Sequence, residues 1–189
     1  MTAQEGELGI GRRLFAPEEI VQAIERLAAE IAADYRGQPL LLLGVLKGAL
    51  HFTADLARAI AWKVDGPSEI MVDYICVERY GRSGTTGGSA RLTKDASLGI
   101  AGANLLIVED IVDGGGTLAF LQTFLGRRRP ASLRTCVLFD KPAPRQAQVP
   151  IEYLGLEVPD VFVIGYGLDH KELYRNLPYL AELREGQTV

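Results

Sequence analysis

"LLIVEDIVDGGGTL", residues 105–118, runs an apolar stretch into Glu109, Asp110 and Asp113 and then into three consecutive glycines. Adjacent carboxylates repel one another, and glycine is the poorest ordinary residue for starting a helix. A chain tolerates both where a ligand lies across the turn. Gly114, Gly115 and Gly116, followed by Thr117, would offer a phosphate the free backbone N–H groups and positive dipole end of a helix. The stretch has no Gly-Lys-Ser/Thr ending, so it is not a Walker loop, and the chain has no G-x-G-x-x-G dinucleotide fingerprint. At a strand end just before a phosphate cradle, Glu109 and Asp110 can accept hydrogen bonds from the vicinal hydroxyls of a sugar. A solvated acidic strand end is the plainer alternative, and three carboxylates within five residues beside an apolar run fit it badly.

Chemistry at that turn needs elements to position it. "APEEIVQAIERLAAEIAADYRG" has apolar residues at helical spacing, with Pro17 and two glutamates in its first turn and Gly37 beyond its end. "PLLLLGVL" and "ANLLIVED" are continuous apolar runs suited to fully buried strands, and "GALHFTADLARAIAW" and "TLAFLQTFLGRRR" read as helices. "SEIMVDYICVERY" alternates as a strand, "SLRTCVLFD" is another, and "VPDVFVIGYG" gives a shorter one. "GRSGTTGGSARLTKD" has neither period and reads as a long flexible loop, a lid over about 80–93. Strand–helix alternation with buried strands predicts one α/β domain over residues 1–189, a mostly parallel twisted sheet flanked by helices. Ligands of such sheets bind beyond the carboxyl ends of the strands. "LKG" at 46–48, "EDIVDGGGT" at 109–117, "DK" at 140–141 and "GYGLD" at 165–169 should therefore converge.

The whole chain narrows the function classes. Of its 189 residues 48% are hydrophobic, and the formal net charge is −4, so no general basic field invites nucleic acid or an anionic membrane. A polyanionic substrate must be caught by local donors and metal. Cys76 and Cys136 lie in apolar strand-like runs and read as buried thiols, and "GRRRP" at 126–130 is too short a basic run for nucleic acid. With no signal peptide and no long apolar span, the expected location is the cytoplasm. His51 falls on a helix face, packed or solvated, and His170 receives no role.

"LLIVEDIVDGGGTL" resembles the phosphoribosyl-pyrophosphate (PRPP) motif of the type I phosphoribosyltransferases, and its Glu-Asp pair resembles the hypoxanthine-guanine branch. The likeness continues, in order and spacing, through "LLGVLKGALHFTADLARAI", "VERYGRSGTTGGSARLTKD", "ASLRTCVLFDKPAPR", "VPIEYLGLEVPDVFVIGYGLD" and "YRNLPYL". It implies a purine-salvage enzyme that joins hypoxanthine, and guanine, to PRPP with Mg²⁺, in a fold with a small hood and a lid. It implies that Glu109 and Asp110 hold the ribose hydroxyls and take part in holding Mg²⁺, that residues 114–117 hold the 5′-phosphate, and that Asp113 is the general acid/base at purine N7. Lys141 would face the 6-oxo group, because an ammonium has only donors. Phe162 would stack on the purine beside Val163, although by periodicity alone a strand phenylalanine is more often core. Leu46, Lys47, Gly48 and Arg175 would bind pyrophosphate, the Leu46–Lys47 peptide can be cis in such proteins, and Asp169 would bind Mg²⁺. Arg79 and Tyr80 would belong to the lid, and a homodimer or homotetramer is implied.

Two other readings stay open, a xanthine-preferring sister enzyme and a non-catalytic regulator that binds PRPP or nucleotide. The chain also departs from the pattern. Gly114 stands where Thr or Ser is usual, which predicts weaker hold on the 5′-phosphate, and Arg79 stands where a small serine is common.

Overall fold

The computed structural model describes residues 9–80 and 89–184. Its centre is a six-stranded sheet in the order β4-β3-β2-β5-β6-β7, and a three-stranded sheet, β1-β9-β8, forms a hood beside it. In chain order the elements are β1 (Ile10–Phe15), α1 (Pro17–Asp34), β2 (Pro39–Leu46), α2 (Leu50–Ala61), β3 (Glu69–Tyr80) and β4 (Ser89–Lys94), then β5 (Asn104–Val112), α3 (Gly116–Gly126), β6 (Ser132–Asp140), β7 (Tyr153–Glu157), β8 (Val163–Ile164) and β9 (Leu180–Leu183).

β3, β2, β5, β6 and β7 pair in parallel, and only the edge strand β4 runs antiparallel. The period-2 pleat divides each central strand between two cores. Leu40 and Leu42, Leu106 and Val108, and Cys136 and Leu138 face α1 and α2, whereas Leu41, Leu43, Leu105, Ile107 and Val137 meet Leu118, Leu121 and Leu125 of α3. Fully burying each such side chain is worth roughly 1.5–3 kcal/mol, so the central strands are the most firmly held part of the molecule. Their carboxyl ends form a fixed rim.

α1 begins where the residue types direct. Pro17 occupies the first turn, and Glu19 reaches back to accept the Ala16 N–H at 2.8 Å. Gly37 follows with φ +67°, a left-handed turn before β2. Gly44 inside β2 has a different cause. A Cβ there would lie 2.5 Å from Thr53 Oγ1 and 2.9 Å from the Tyr74 ring, so only glycine lets α2 and β3 close on the strand.

Three sequence expectations change. Ser89–Lys94, placed in a loop, is the antiparallel edge strand β4, whose few apolar residues are too sparse to show an alternation; residues 81–88 of the expected lid lie outside the described residues. "VPDVFVIGYG" yields only the two-residue β8, because Gly165 and Gly167, with φ near +100°, turn the chain at once. Cys136 is a buried thiol whose pKa is pushed far up by burial, but Cys76 is only half-buried.

Candidate active site

The four strand-end segments meet at one cavity of about 410 Å³. Leu46, Lys47 and Gly48 form one wall, Glu109, Asp110, Asp113 and Thr117 another, and Lys141, Phe162, Val163, Asp169 and Arg175 complete it. A cleft of about 90 Å³ adjoins it, lined by residues 111–118 and Glu109. Every residue singled out on these segments lines the cavity or the cleft.

The cleft has the form of an anion cradle. Gly115 is the N-cap of α3 at φ +83°, so the N–H groups of Gly116, Thr117 and Leu118 begin the helix without intrahelical acceptors. The carbonyls on the other side of the turn are tied back. Gly114 O accepts from the N–H groups of Gln146 and Ala147 at 3.1 and 3.0 Å, and Asp113 O accepts from Arg145 Nε at 3.1 Å. Arg145 is held in turn by an ion pair with Asp140, at the end of β6. Sequence reasoning missed Arg145, since a lone arginine in "DKPAPR" gives no sign of which carbonyl it will meet. The Asp113 side chain itself is exposed to the cavity.

Glu109 and Asp110 are each 7% exposed and adjacent in β5. Burial pushes Glu109 well above the ordinary carboxylate range, and the neighbouring Asp110 pushes the same way. Burial raises Asp110 as well, against the pull of backbone N–H groups and of the Arg175 charge. Two carboxylates in this position are costly unless they share a proton or face hydroxyl donors or a cation. Among the described residues Glu109 Oε2 is buried without a hydrogen-bond partner, as is Arg175 Nε.

The wall at residues 46–48 is built from backbone. The Leu46–Lys47 peptide is cis, and the chain then turns into α2 through bonds from Ala49 N–H to Val45 O and from Leu50 N–H to Lys47 O, both 3.2 Å. Gly48 is packed against the acidic pair, where a Cβ would lie 1.6 Å from Asp110 Oδ2. Arg175 Nη1 donates to Gly167 O at 2.7 Å, and its Nη2 pairs with Asp169 Oδ1 at 2.7 Å. Lys47 Nζ pairs with Glu172 Oε2 at 3.0 Å, a contact that no sequence signal announced.

Lys141 is buried, and its backbone N–H donates to Val112 O at 2.9 Å, which fixes it beside the end of β5. Among the described residues it makes no ion pair. Phe162 is not a core residue. It is 54% exposed and lines the cavity, with the His170 ring edge-on at 5.5 Å. An aromatic face left open over a polar cavity is the arrangement that stacks a planar heterocycle. His51 is solvated on α2, near the Tyr166 ring. Arg79 and Tyr80 end β3, with backbones paired to Ala90 and Ser89, and their side chains lie outside the described residues.

Residues 12–171 match the family model described as a phosphoribosyl transferase domain. The hypoxanthine-guanine phosphoribosyltransferase of Bacillus subtilis (strain 168) is 39% identical over 175 residues, 93% of this chain and 94% of the relative. That of Mycobacterium tuberculosis (strain ATCC 25618 / H37Rv) is 44% identical over 176 residues, 90% of this chain and 84% of the relative. The chain belongs to the hypoxanthine-guanine phosphoribosyltransferase family.

Solved phosphoribosyltransferases share its fold, the type I arrangement. The crystal structure of a hypoxanthine phosphoribosyltransferase from Staphylococcus aureus superposes with a TM-score of 0.88 at 34% identity, covering 97% of both chains. A hypoxanthine-guanine phosphoribosyltransferase from Bacillus anthracis gives 0.84 at 38% identity, covering 92% of this chain and 98% of that one. At the phosphoribosyltransferase signature the glycine run does not distort the cradle. A Cβ on Gly114 would meet only Pro144 O, at 3.8 Å, so the backbone leaves room for a side chain at that position.

Proposed function

We propose that this phosphoribosyltransferase transfers the 5-phosphoribosyl group of PRPP to N9 of hypoxanthine, and of guanine, releasing pyrophosphate and the nucleoside monophosphate. The observation that carries the reading is the convergence, in one cavity, of a buried carboxylate pair, an exposed carboxylate, a buried lysine and an open aromatic face. The names of the similar proteins support this reading over a xanthine-preferring enzyme or a non-catalytic regulator.

Each group has one task. The N–H groups of residues 116–118 and the Thr117 hydroxyl bind the 5′-phosphate in the cleft. Glu109 and Asp110 accept hydrogen bonds from the ribose 2′- and 3′-hydroxyls, so a carboxylate pair disfavoured on its own is satisfied by bound sugar. Their negative charge also stabilises the positive charge that the ribose develops as the C1–oxygen bond breaks. The bond's electron pair leaves with pyrophosphate, which is met by the backbone of residues 46–48, by Lys47 and by the Arg175 guanidinium. Purine N9 forms the new bond to C1, and Asp113 takes the proton that the ring gives up at N7. Phe162 stacks on the base beside Val163, and Lys141 donates to its 6-oxo oxygen.

Mg²⁺ fits this donor set. Among the described residues no three His, Cys, Asp or Glu side chains form a self-contained metal site, and Mg²⁺ characteristically takes one or two carboxylates plus substrate oxygens. Asp169 and the Glu109–Asp110 pair are the carboxylates that would hold it, and bound Mg²⁺ would neutralise the pyrophosphate leaving group. Among the described residues no helix is long and apolar enough to cross a membrane, and a cytoplasmic location is part of the proposal. A homodimer or homotetramer is the assembly expected, which light scattering tests.

The deciding assay is spectrophotometric, with PRPP, Mg²⁺ and each of hypoxanthine, guanine, xanthine and adenine. A 6-amino group would set a donor against the Lys141 ammonium, an unmatched buried pair costing about 1–3 kcal/mol. Hypoxanthine and guanine should turn over and adenine should fall behind by roughly one to two orders of magnitude in kcat/KM. Adenine equal to hypoxanthine would remove Lys141 as the reader of the base, and no turnover with any base would remove the enzyme reading.

A further inference from the structure

Glu172 has no task in this scheme, yet its carboxylate lies on both cations assigned to pyrophosphate. Lys47 Nζ donates to Glu172 Oε2 at 3.0 Å, and Arg175 Nη2 lies 3.5 Å from each of the two Glu172 oxygens. Lys47 leaves α2's entry loop and Arg175 the hood, so this one carboxylate bridges the two sides of the diphosphate wall. A pyrophosphate bound there needs the same N–H donors. Glu172 and the diphosphate are therefore competitors for them.

The backbone and side chain of Glu172 differ in how they are held. Its N–H donates to Asp169 Oδ2 at 2.8 Å, and His170 and Leu173 on either side exchange backbone hydrogen bonds of 3.2 and 3.0 Å. Lys171, Glu172 and Tyr174 all have φ between +52° and +75°, conformations that side-chain-bearing residues seldom adopt and that this turn fixes. The Glu172 side chain, by contrast, is 63% exposed on a flexible stem. Exposed ion pairs contribute little to stability, so fold stability does not account for a carboxylate in this place.

We propose that Glu172 is an internal competitor of pyrophosphate: its carboxylate takes Lys47 and Arg175 as the diphosphate departs, and so weakens pyrophosphate binding and favours product release. The inference rests on the reading of Lys47 and Arg175 as the diphosphate holders. Its consequence is thermodynamic. When a site is competent only while an internal occupant is swung away, the apparent dissociation constant rises by the inverse of the competent fraction.

Isothermal titration of magnesium pyrophosphate into the parent protein, Glu172→Gln, Lys47→Met and the double variant tests it. Glu172→Gln should tighten pyrophosphate about 3–10-fold, as expected if Glu172 holds the cations most of the time. Hypoxanthine KM should stay within about twofold, since the base lies elsewhere in the cavity. In the Lys47→Met background the gain should shrink to less than half on a logarithmic scale, because one of the two contacts is already gone. A gain kept in full in that background would mean a general field effect and would overturn the proposal. Equal or weaker binding by Glu172→Gln would overturn it too, leaving the diphosphate wall intact. Equal pyrophosphate binding by the parent and Lys47→Met would overturn the wall itself and the inference with it.

Discussion

Two neighbouring glycines in the proposed 5′-phosphate cradle should respond in opposite ways to a side chain. A Cβ on Gly114 would meet only Pro144 O at 3.8 Å, an ordinary contact, and its backbone does not lie in the left-handed region. A Cβ on Gly115 would lie 2.7 Å from Ala147 O and 3.1 Å from Arg145 Cδ, at φ +83°. Gly114→Thr therefore adds a hydroxyl at the mouth of the cleft without a clash. A hydrogen bond to a charged phosphate oxygen is worth about 1.5–3 kcal/mol, and ordering the new side chain takes back part of that. The net should lower the KM for PRPP by about tenfold, with the KM for hypoxanthine nearly unchanged. Removing glycine where φ is ordinary should also stabilise the fold by about 0.4–1 kcal/mol through the unfolded chain. Gly115→Ala must force the turn away from residues 145–147 in a left-handed conformation costing about 1–2 kcal/mol, and should raise the KM for PRPP at least tenfold. Steady-state kinetics with PRPP varied at saturating hypoxanthine, paired with thermal melts, reads both effects. An inactive Gly114→Thr beside a fully active Gly115→Ala would refute the assignment of residues 114–117 to the 5′-phosphate.

The remaining expectations are shorter. Asp113→Asn keeps the shape and loses the basicity, so kcat should fall by about 10²–10⁴ while PRPP affinity, read by titration, moves only a few-fold; an Asn variant near parental kcat would remove Asp113 as the proton acceptor. Gly48→Ala drives a methyl into the buried Asp110 and should cost about 10² in kcat/KM for PRPP and about 1–3 kcal/mol of stability, read as a lowered melting temperature, and a variant matching the parent in both would contradict that packing. Asp73 accepts N–H groups from Tyr74, Ser97 and Leu98 at 2.7, 2.5 and 2.8 Å and lies 3.6 Å from Lys94. Burial alone would raise its pKa, but these partners hold it below the usual value. Its contribution, about 1–3 kcal/mol, is thus complete above the unfolded pKa of about 3.9 and is lost as pH falls through the lower folded value. The gap in melting temperature between parent and Asp73→Asn should be constant from about pH 7 to 5 and close below about 4, and a gap that widens on acidification would contradict the sign.

How much of this was legible in the chain depends on whether the deciding interaction was local. β2 and β5 announced themselves because a strand buried on both faces reads as a continuous apolar run. The acidic pair and the glycine run were legible for the opposite reason, a conflict between residue types that only a ligand resolves. The hood was implied by the family resemblance and not by any residue pattern. β1 is "IGRRLF", half of it charged or glycine, and it becomes a strand by pairing with β9 about 170 residues later, with irregular register on the way. β4 is a strand only as the edge partner of β3, and no internal period marks it. Phe162 looked like core by its apolar neighbours, and the turn at Gly165 leaves it at the cavity instead. Glu172 and Arg145 are single charges in loops, and a charge in a loop acquires meaning only from what the fold sets beside it.

That dependence on distant partners has a physical centre at Gly48. Its absent side chain admits Asp110 Oδ2 from β5, where a Cβ would lie 1.6 Å away. Its carbonyl is approached in turn by Gly167 of the hood, where a Cβ would lie 2.0 Å away at φ +101°. The Asp110 side chain and the Gly167 backbone, from segments far apart in sequence, thus both close on Gly48 where no side chain fits. Arg175 reinforces the junction by donating to Gly167 O and pairing with Asp169. A cavity walled only by side chains could widen by rotamer changes, but here the Gly167 backbone packed on Gly48 holds the turn of residues 46–48 against the acidic pair. That fixity is what allows two adjacent carboxylates to stay buried. Buried side by side, their repulsion would be relieved by a shared proton, by sugar hydroxyls or by a cation, so that in the proposed function the unfavourable pairing would become a preference for the substrate that satisfies it.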